Sequence, residues 1–162
     1  MDGLAEATGA AVEQAAEAIL NERKLFSIGL GADCAGATAL ASLLHRGVMR
    51  ERPSLPVVEL AEHHIESVET GVNWAARQIQ ALGQQGDVAF VFAGALGEPE
   101  IQRLAVALEQ RQVRAIWVGN RGPGLSMTVT DENVETRLTL NGALAICLAR
   151  LIDTYTFGPM GD

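Results

Sequence analysis

The sequence is poor in aromatic side chains, in cysteine and in positive charge, and it has no long apolar run. Aromatics make up only 4% of its 162 residues, so the core must be built from Ala, Leu, Val and Ile. Two isolated cysteines, Cys34 and Cys147, do not make a disulfide framework and fit a reducing cytoplasm. No run reaches the roughly 18 apolar residues of a membrane span. No charged segment followed by an apolar stretch opens the chain, so no signal peptide is expected. Twelve basic side chains stand against 20 acidic ones, a net charge of −8. That balance argues against direct binding to nucleic acid or to an anionic membrane, and leaves a basic partner open.

What is present is 48% hydrophobic side chains and 17 glycines, a composition suited to close helix–sheet packing. The length predicts one domain over residues 1–162, large enough to bury a full core. The chain is organised around residues 24–44, KLFSIGLGADCAGATALASLL. A short β-like run, Leu25–Ile28, leads into the turn Gly29-Leu30-Gly31-Ala32-Asp33, and then into an Ala-rich helix over 33–46. Strand, glycine turn and helix in that order form half a βαβ unit, and the turn places backbone N–H groups where an anion usually sits.

Along the rest of the chain, 5–22 reads as an amphipathic helix and 57–60 as a strand. Residues 61–72 read as a polar loop or short helix, and 73–82 as a helix. Val88–Phe92 is continuously apolar, as in a central parallel strand covered on both faces. Glu98-Pro99-Glu100 opens a helix to Gln110, with Pro in the first turn and acids near the positive end. Val113–Gly119 is a fourth strand, 127–130 and 134–138 are short β-like pieces, 140–151 is a final helix, and 153–162 is a polar tail. The alternation predicts a three-layer α/β/α sandwich on a mostly parallel five-stranded sheet. Ligands in such sheets bind at the carboxyl ends of strands, so the loops 29–33 and 93–98 mark the expected cleft.

Four phrases together resemble the sugar isomerase (SIS) domain, in its phosphoheptose isomerase and DnaA initiator-associating branch. They are GLGADCAGA at 29–37, ERPSLPVVEL at 51–60, QALGQQGDVAFVFAGALGEPEIQRL at 80–104 and ICLARLID at 146–153. The resemblance implies a flavodoxin-like parallel sandwich that binds phosphosugars and assembles as dimers or tetramers. It also implies that the N-terminal helix is shortened here by about a helix relative to the family's, and that the segment between Leu60 and Trp74 is several residues short.

The resemblance places the old ligand cleft at Gly29, Gly31, Asp33, Ala93, Gly94 and Glu98. Where relatives carry a serine in the first turn, this chain has Asp33; at two serine positions of the second turn it has Ala93 and Glu98. A hydroxyl donates to phosphate oxygens and an ionised carboxylate does not. Asp33 is accordingly expected to cap its own helix and supply the negative charge itself. The family's HxxxE pair falls on Ala39 and Leu43, and its late IQExH phrase on Leu138, Thr139 and Asn141. These side chains lack the base and acid of an aldose–ketose isomerisation, and they lack metal ligands. No catalytic residue, metal or cofactor is therefore expected. His63 and His64 read as a surface pair, and Cys34 as a small buried apolar residue.

The tail aromatic Phe157, with Tyr155 nearby, matches the position that faces the replication initiator DnaA in the initiator-associating branch; packing of the helix end is the other reading. The expected function is thus a non-catalytic, cytoplasmic, self-associating SIS-domain scaffold, with DnaA as the partner the resemblance implies. The alternative is a phosphosugar isomerase or phosphosugar-binding protein with an altered site. A cleft that accepts a neutral or cationic small molecule is the third reading.

Overall fold

The alternation of apolar strands and helices closes into one parallel sheet. The computed structural model describes residues 2–64, 66–128 and 133–161. The strands are β1 (Leu25–Leu30), β2 (Val57–Glu62), β3 (Val88–Phe92), β4 (Arg114–Val118) and β5 (Leu125–Met127), in the order β2-β1-β3-β4-β5, and every pairing is parallel. The helices are α1 (Asp2–Leu20), α2 (Cys34–Arg46), α3 (Val68–Leu82), α4 (Glu98–Gln110) and α5 (Val134–Phe157).

Each strand sends alternate side chains to opposite faces, which divides the core in two. Leu25, Phe90, Phe92, Ile116 and Val118 pack with α1, α2 and α5. Phe26, Ile28, Ala89, Val91 and Trp117 pack with α3 and α4. The three-layer expectation holds, with the sheet fully rather than mostly parallel. β1 and β3 are neighbours, yet α2 leaves β1 on one face and α4 leaves β3 on the other. This is the topological switch point, and it opens a crevice at the carboxyl edge.

Several expected boundaries move. Residues 134–138, expected as a β-like piece, form the first turns of α5, where the Asn133 side chain accepts from the Glu135 and Thr136 amides. Tyr155 and Phe157, expected in a polar tail, belong to the last turn of the same helix. β5 begins at Leu125, two residues before the expected piece, whose residues 129–130 lie outside the described ones. α3 begins at Val68, capped by the Ser67 hydroxyl, inside the segment expected as a loop or short helix. Leu20, placed on the buried stripe of α1, is 60% exposed, and Ala18 is buried instead.

Two of the family-like phrases meet in space. Arg52, from ERPSLP, donates through Nε to Asp153 Oδ1, from LARLID, at 2.8 Å, and its Nη2 lies 2.7 Å from the same oxygen as an ion pair. It also donates to the Leu44, Pro53 and Leu43 carbonyls. One guanidinium thus shares the Leu43 and Leu44 carbonyls at the end of α2 with the Gly47 and Leu55 amides and ties them to α5.

Candidate functional site at the carboxyl edge

The site starts from a backbone turn. Leu30 is the last extended residue, Gly31 takes a left-handed φ of +60°, and a single 3-10 turn over Gly31–Asp33 feeds α2. A side chain would strain at Gly31. A Cβ on Gly29 would strike the Asp33 carbonyl, so glycine lets the turn fold back on the strand.

Asp33 sits at the N-cap position of α2 but makes no capping bond. This corrects the expectation that it caps its own helix. Asp33 already has helical φ and ψ, −75° and −8°, rather than the extended backbone of a capping residue. Its carboxylate instead crosses to the second loop. Oδ2 accepts from the Ala95 amide at 2.9 Å, and Oδ1 accepts from Asn141 Nδ2 at 3.4 Å. The Arg137 guanidinium lies 3.6 Å from Oδ1 as an ion pair. Arg137 Nε is buried and has no hydrogen-bond partner. Asp33 is 1% exposed. Burial pushes its carboxyl above the ordinary aspartate value; the Ala95 amide, Arg137 and Asn141 pull the other way and only partly offset it.

The loop after β3 is held independently. The Ala93 amide donates to the Val118 carbonyl. The Asn120 side chain donates to the Ala93 and Leu96 carbonyls at 3.2 and 3.0 Å. Arg137 lies flat across Gly94, where a Cβ would collide with it. Gly29, Gly31, Asp33, Ala93 and Gly94 therefore gather at the crevice. Glu98 does not join them. It is exposed and lines a neighbouring cavity of about 400 Å³ with Ile101, Gln102, Asn120 and Arg121.

Arg137 and the Ala95 amide are not singled out in the sequence, and Asn141 is named there only as a position that lacks the family's proton-transfer and metal groups. Arg137 and Asn141 are four residues apart and share a helix face. That spacing carries a signal once 134–138 is helical; reading it as a β-like piece conceals it. A second pair was also missed. Cys34 Sγ lies 3.0 Å from His63 Nδ1. Burial, then the charges of Asp33, Glu59 and Glu62, push the Cys34 thiol up, against the smaller lowering by its own backbone amide. That environment keeps the thiol protonated and unreactive. His63 is still a surface residue, whereas His64 contributes only a backbone bond to Glu62. Ala39 and Leu43 pack against the core on the α2 face. Among the described residues, no three His, Cys, Asp or Glu side chains gather to hold a metal ion, and no helix is long and apolar enough to cross a membrane.

No protein-family profile matches the chain. Curated relatives do. A phosphoheptose isomerase of Methylococcus capsulatus is 28% identical over 96% of this chain and 87% of that protein. One from Halorhodospira halophila is 29% identical, over 90% and 81%. The DnaA initiator-associating protein DiaA of Erwinia tasmaniensis is 27% identical, over 94% and 88%. Among solved structures, a phosphoheptose isomerase from Francisella tularensis superposes with a TM-score of 0.78 at 20% identity, over 92% of this chain and 86% of that one. Another, from Neisseria gonorrhoeae, gives 0.73 at 18%, over 93% and 87%. At those identities the structures speak to the fold. Over nearly its whole length the chain is thus similar in sequence to phosphoheptose isomerases and to DiaA, and it shares the fold of the phosphoheptose isomerases.

Proposed function

We propose that this SIS-domain protein is a non-catalytic binding scaffold whose anion cradle is filled by its own side chain. The observation that carries this reading is the Asp33 carboxylate on the Ala95 amide, flanked by Asn141 and Arg137. A backbone N–H, an amide and a guanidinium form a donor set suited to an anion. The anion is here covalently tethered, so an external phosphate would have to displace it. A dianion about 5 Å from an ionised carboxylate is repelled by roughly 1 kcal/mol per unit-charge pair even at high dielectric. Ala39, Leu43, Leu138, Thr139 and Asn141 hold no group able to shuttle a proton between carbons.

The partner side of the reading rests on α5. Tyr155 and Phe157 are 52% and 43% exposed in its last turn, and the Phe157 ring stacks over the Arg52 guanidinium at 5.7 Å. That ring is packed on one side and open on the other. By the relationship to DiaA, DnaA is the partner to test, and the acidic surface suits a basic region of a DNA-binding protein. The two unbridged cysteines suit a cytoplasmic setting.

The second reading is a phosphosugar-binding protein or isomerase of the phosphoheptose group. The curated phosphoheptose isomerase relatives favour it, as does Arg137 Nε beside the crevice, which is ion-paired with Asp33 but makes no hydrogen bond. Titration with heptose, hexose and pentose phosphates decides between them. A ligand at 100 times its Kd stabilises by about 2.7 kcal/mol, a plain thermal shift. We expect no shift for the wild type and a gained phosphate-dependent shift for Asp33→Ser. A wild-type shift, with the phosphate seated at Ala95 in crystals, would overturn the scaffold reading. Absence of a DnaA complex at low salt and micromolar concentration would remove that partner.

A further inference from the structure

Half of the Asp153 carboxylate has no donor. Oδ1 takes both contacts from Arg52, at 2.8 and 2.7 Å. Oδ2 is buried and makes no hydrogen bond, and the side chain as a whole is only 6% exposed. A buried carboxylate oxygen left unsatisfied is costly. Asp153 also lines a cavity of about 150 Å³ at the amino edge of the sheet, where the connection from α2 to β2 meets the end of α5. Gly158 turns the chain there with a φ of +80°, a conformation that glycine adopts without strain. The Arg50 guanidinium donates to the Gly158 carbonyl at 2.7 Å. Pro159 and Met160 then wall the cavity opposite Val48 and Met49. Arg50 and Arg150 complete the lining, and among the described residues the Arg150 guanidinium has no partner.

We propose that this cavity binds a small apolar α-amino acid, with its carboxylate on Arg50 and Arg150 and its ammonium on Asp153. The inference goes beyond the reading of the crevice and does not rest on it, since the crevice lies at the other edge of the sheet. Charge selects the ligand. A bare anion such as phosphate would meet the two arginines but also the Asp153 carboxylate, and would leave the apolar walls uncovered. A simple amine would find Asp153 but face both guanidinium groups. A zwitterion sets each of its charges against the opposite sign, through charge-assisted hydrogen bonds. Its aliphatic side chain lies against Val48, Met49 and Met160, in the usual pairing of apolar walls with a few convergent polar groups. Size agrees. Pockets for drug-sized ligands run to roughly 300 Å³ and above, and this one is about half of that.

The test reads isotope-labelled methionine methyl groups of the full chain by NMR. Met49 and Met160 line the cavity, and Met127, buried in the core, serves as the control. We expect the Met49 and Met160 signals to shift and saturate with millimolar L-leucine, L-valine or L-methionine, and the Met127 signal to stay. Isocaproate lacks the ammonium of leucine, and isoamylamine lacks its carboxylate. Each should bind at least about tenfold more weakly than leucine, the size of one lost charge-assisted hydrogen bond. Arg150→Gln, at an exposed position, should weaken leucine by a similar factor while circular dichroism shows an unchanged fold. No shift of either methyl with any of the three amino acids, equal binding of isocaproate or isoamylamine, or unchanged affinity in Arg150→Gln would each overturn the inference. The two ligand analogues test it on the wild-type chain, whatever becomes of the variant. None of these results bears on whether the crevice takes a phosphosugar, which the thermal-shift series reads separately.

Discussion

Two buried aspartates, at opposite edges of the same sheet, are treated very differently. Asp87 precedes β3 at the amino edge and is fully buried. Its carboxylate accepts from the Lys24 amide at 3.1 Å, the Gln84 amide at 2.8 Å and the Lys24 ammonium at 2.7 Å. Asp33 follows β1 at the carboxyl edge and is just as inaccessible. It has one good hydrogen bond, one long one, and a guanidinium beyond hydrogen-bonding reach. Burial of a carboxylate is tolerated when charge-assisted bonds replace its water. At the amino edge that replacement is complete, and the aspartate joins the turns before β1 and β3. At the carboxyl edge it is partial, and burial pushes the carboxyl up. The less satisfied aspartate is the one at the switch point, where this fold places ligands.

The sharpest way to break the contrast is to truncate both. Asp87→Ala should cost about 2–3 kcal/mol, because it removes the acceptor of the part-buried Lys24 and Gln84 amides and leaves the half-buried Lys24 ammonium without its carboxylate; urea unfolding at neutral pH measures it. Asp33→Ala should cost about 1 kcal/mol or less in the same assay, since removing a poorly compensated carboxylate also removes its desolvation penalty. Equal losses would mean that the two sites are equivalent.

A pH series sharpens the comparison further. The raised carboxyl of Asp33 means that the folded state holds this proton more tightly than the unfolded chain. Its contribution is fully present below the ordinary aspartate value and is lost as pH rises through the raised one. Wild-type stability, measured against Asp33→Asn, should therefore improve as pH falls from neutral toward that window. The opposite slope would place Asp33 among the well-paired aspartates. The smallest expected effect belongs to Cys34→Ser beside the site, within about 0.5 kcal/mol, because a hydroxyl can keep a bond to His63; thermal unfolding checks it.

Much of the fold was legible in the sequence, and the reasons are local. Val88–Phe92 and Glu98–Gln110 are bounded as expected, because a continuous apolar run and a Pro-containing first turn are strong signals. The start of α5 was not legible. Val134, Thr136 and Thr139 are β-branched, and tertiary packing overrides their weak helix propensity. That one misreading also hid two of the groups that face the cleft, since Arg137 and Asn141 reach Asp33 only when they share a helix. The Gly-rich loops and Asp33 were visible as sequence, but the carboxylate's partner is a backbone amide 62 residues away. A backbone amide has no sequence letter, so only the sheet order reveals it.

The same helix that supplies those two donors ends at the Arg52 staple. It is a single uninterrupted rod of 24 residues, about 36 Å long at 1.5 Å per residue. Its first turns carry Arg137 and Asn141, and its last carries Tyr155 and Phe157. A protein that grips the far tip and tilts it would move both donors away from Asp33 together. One rigid element therefore spans the distance between the aromatic tip and the crevice.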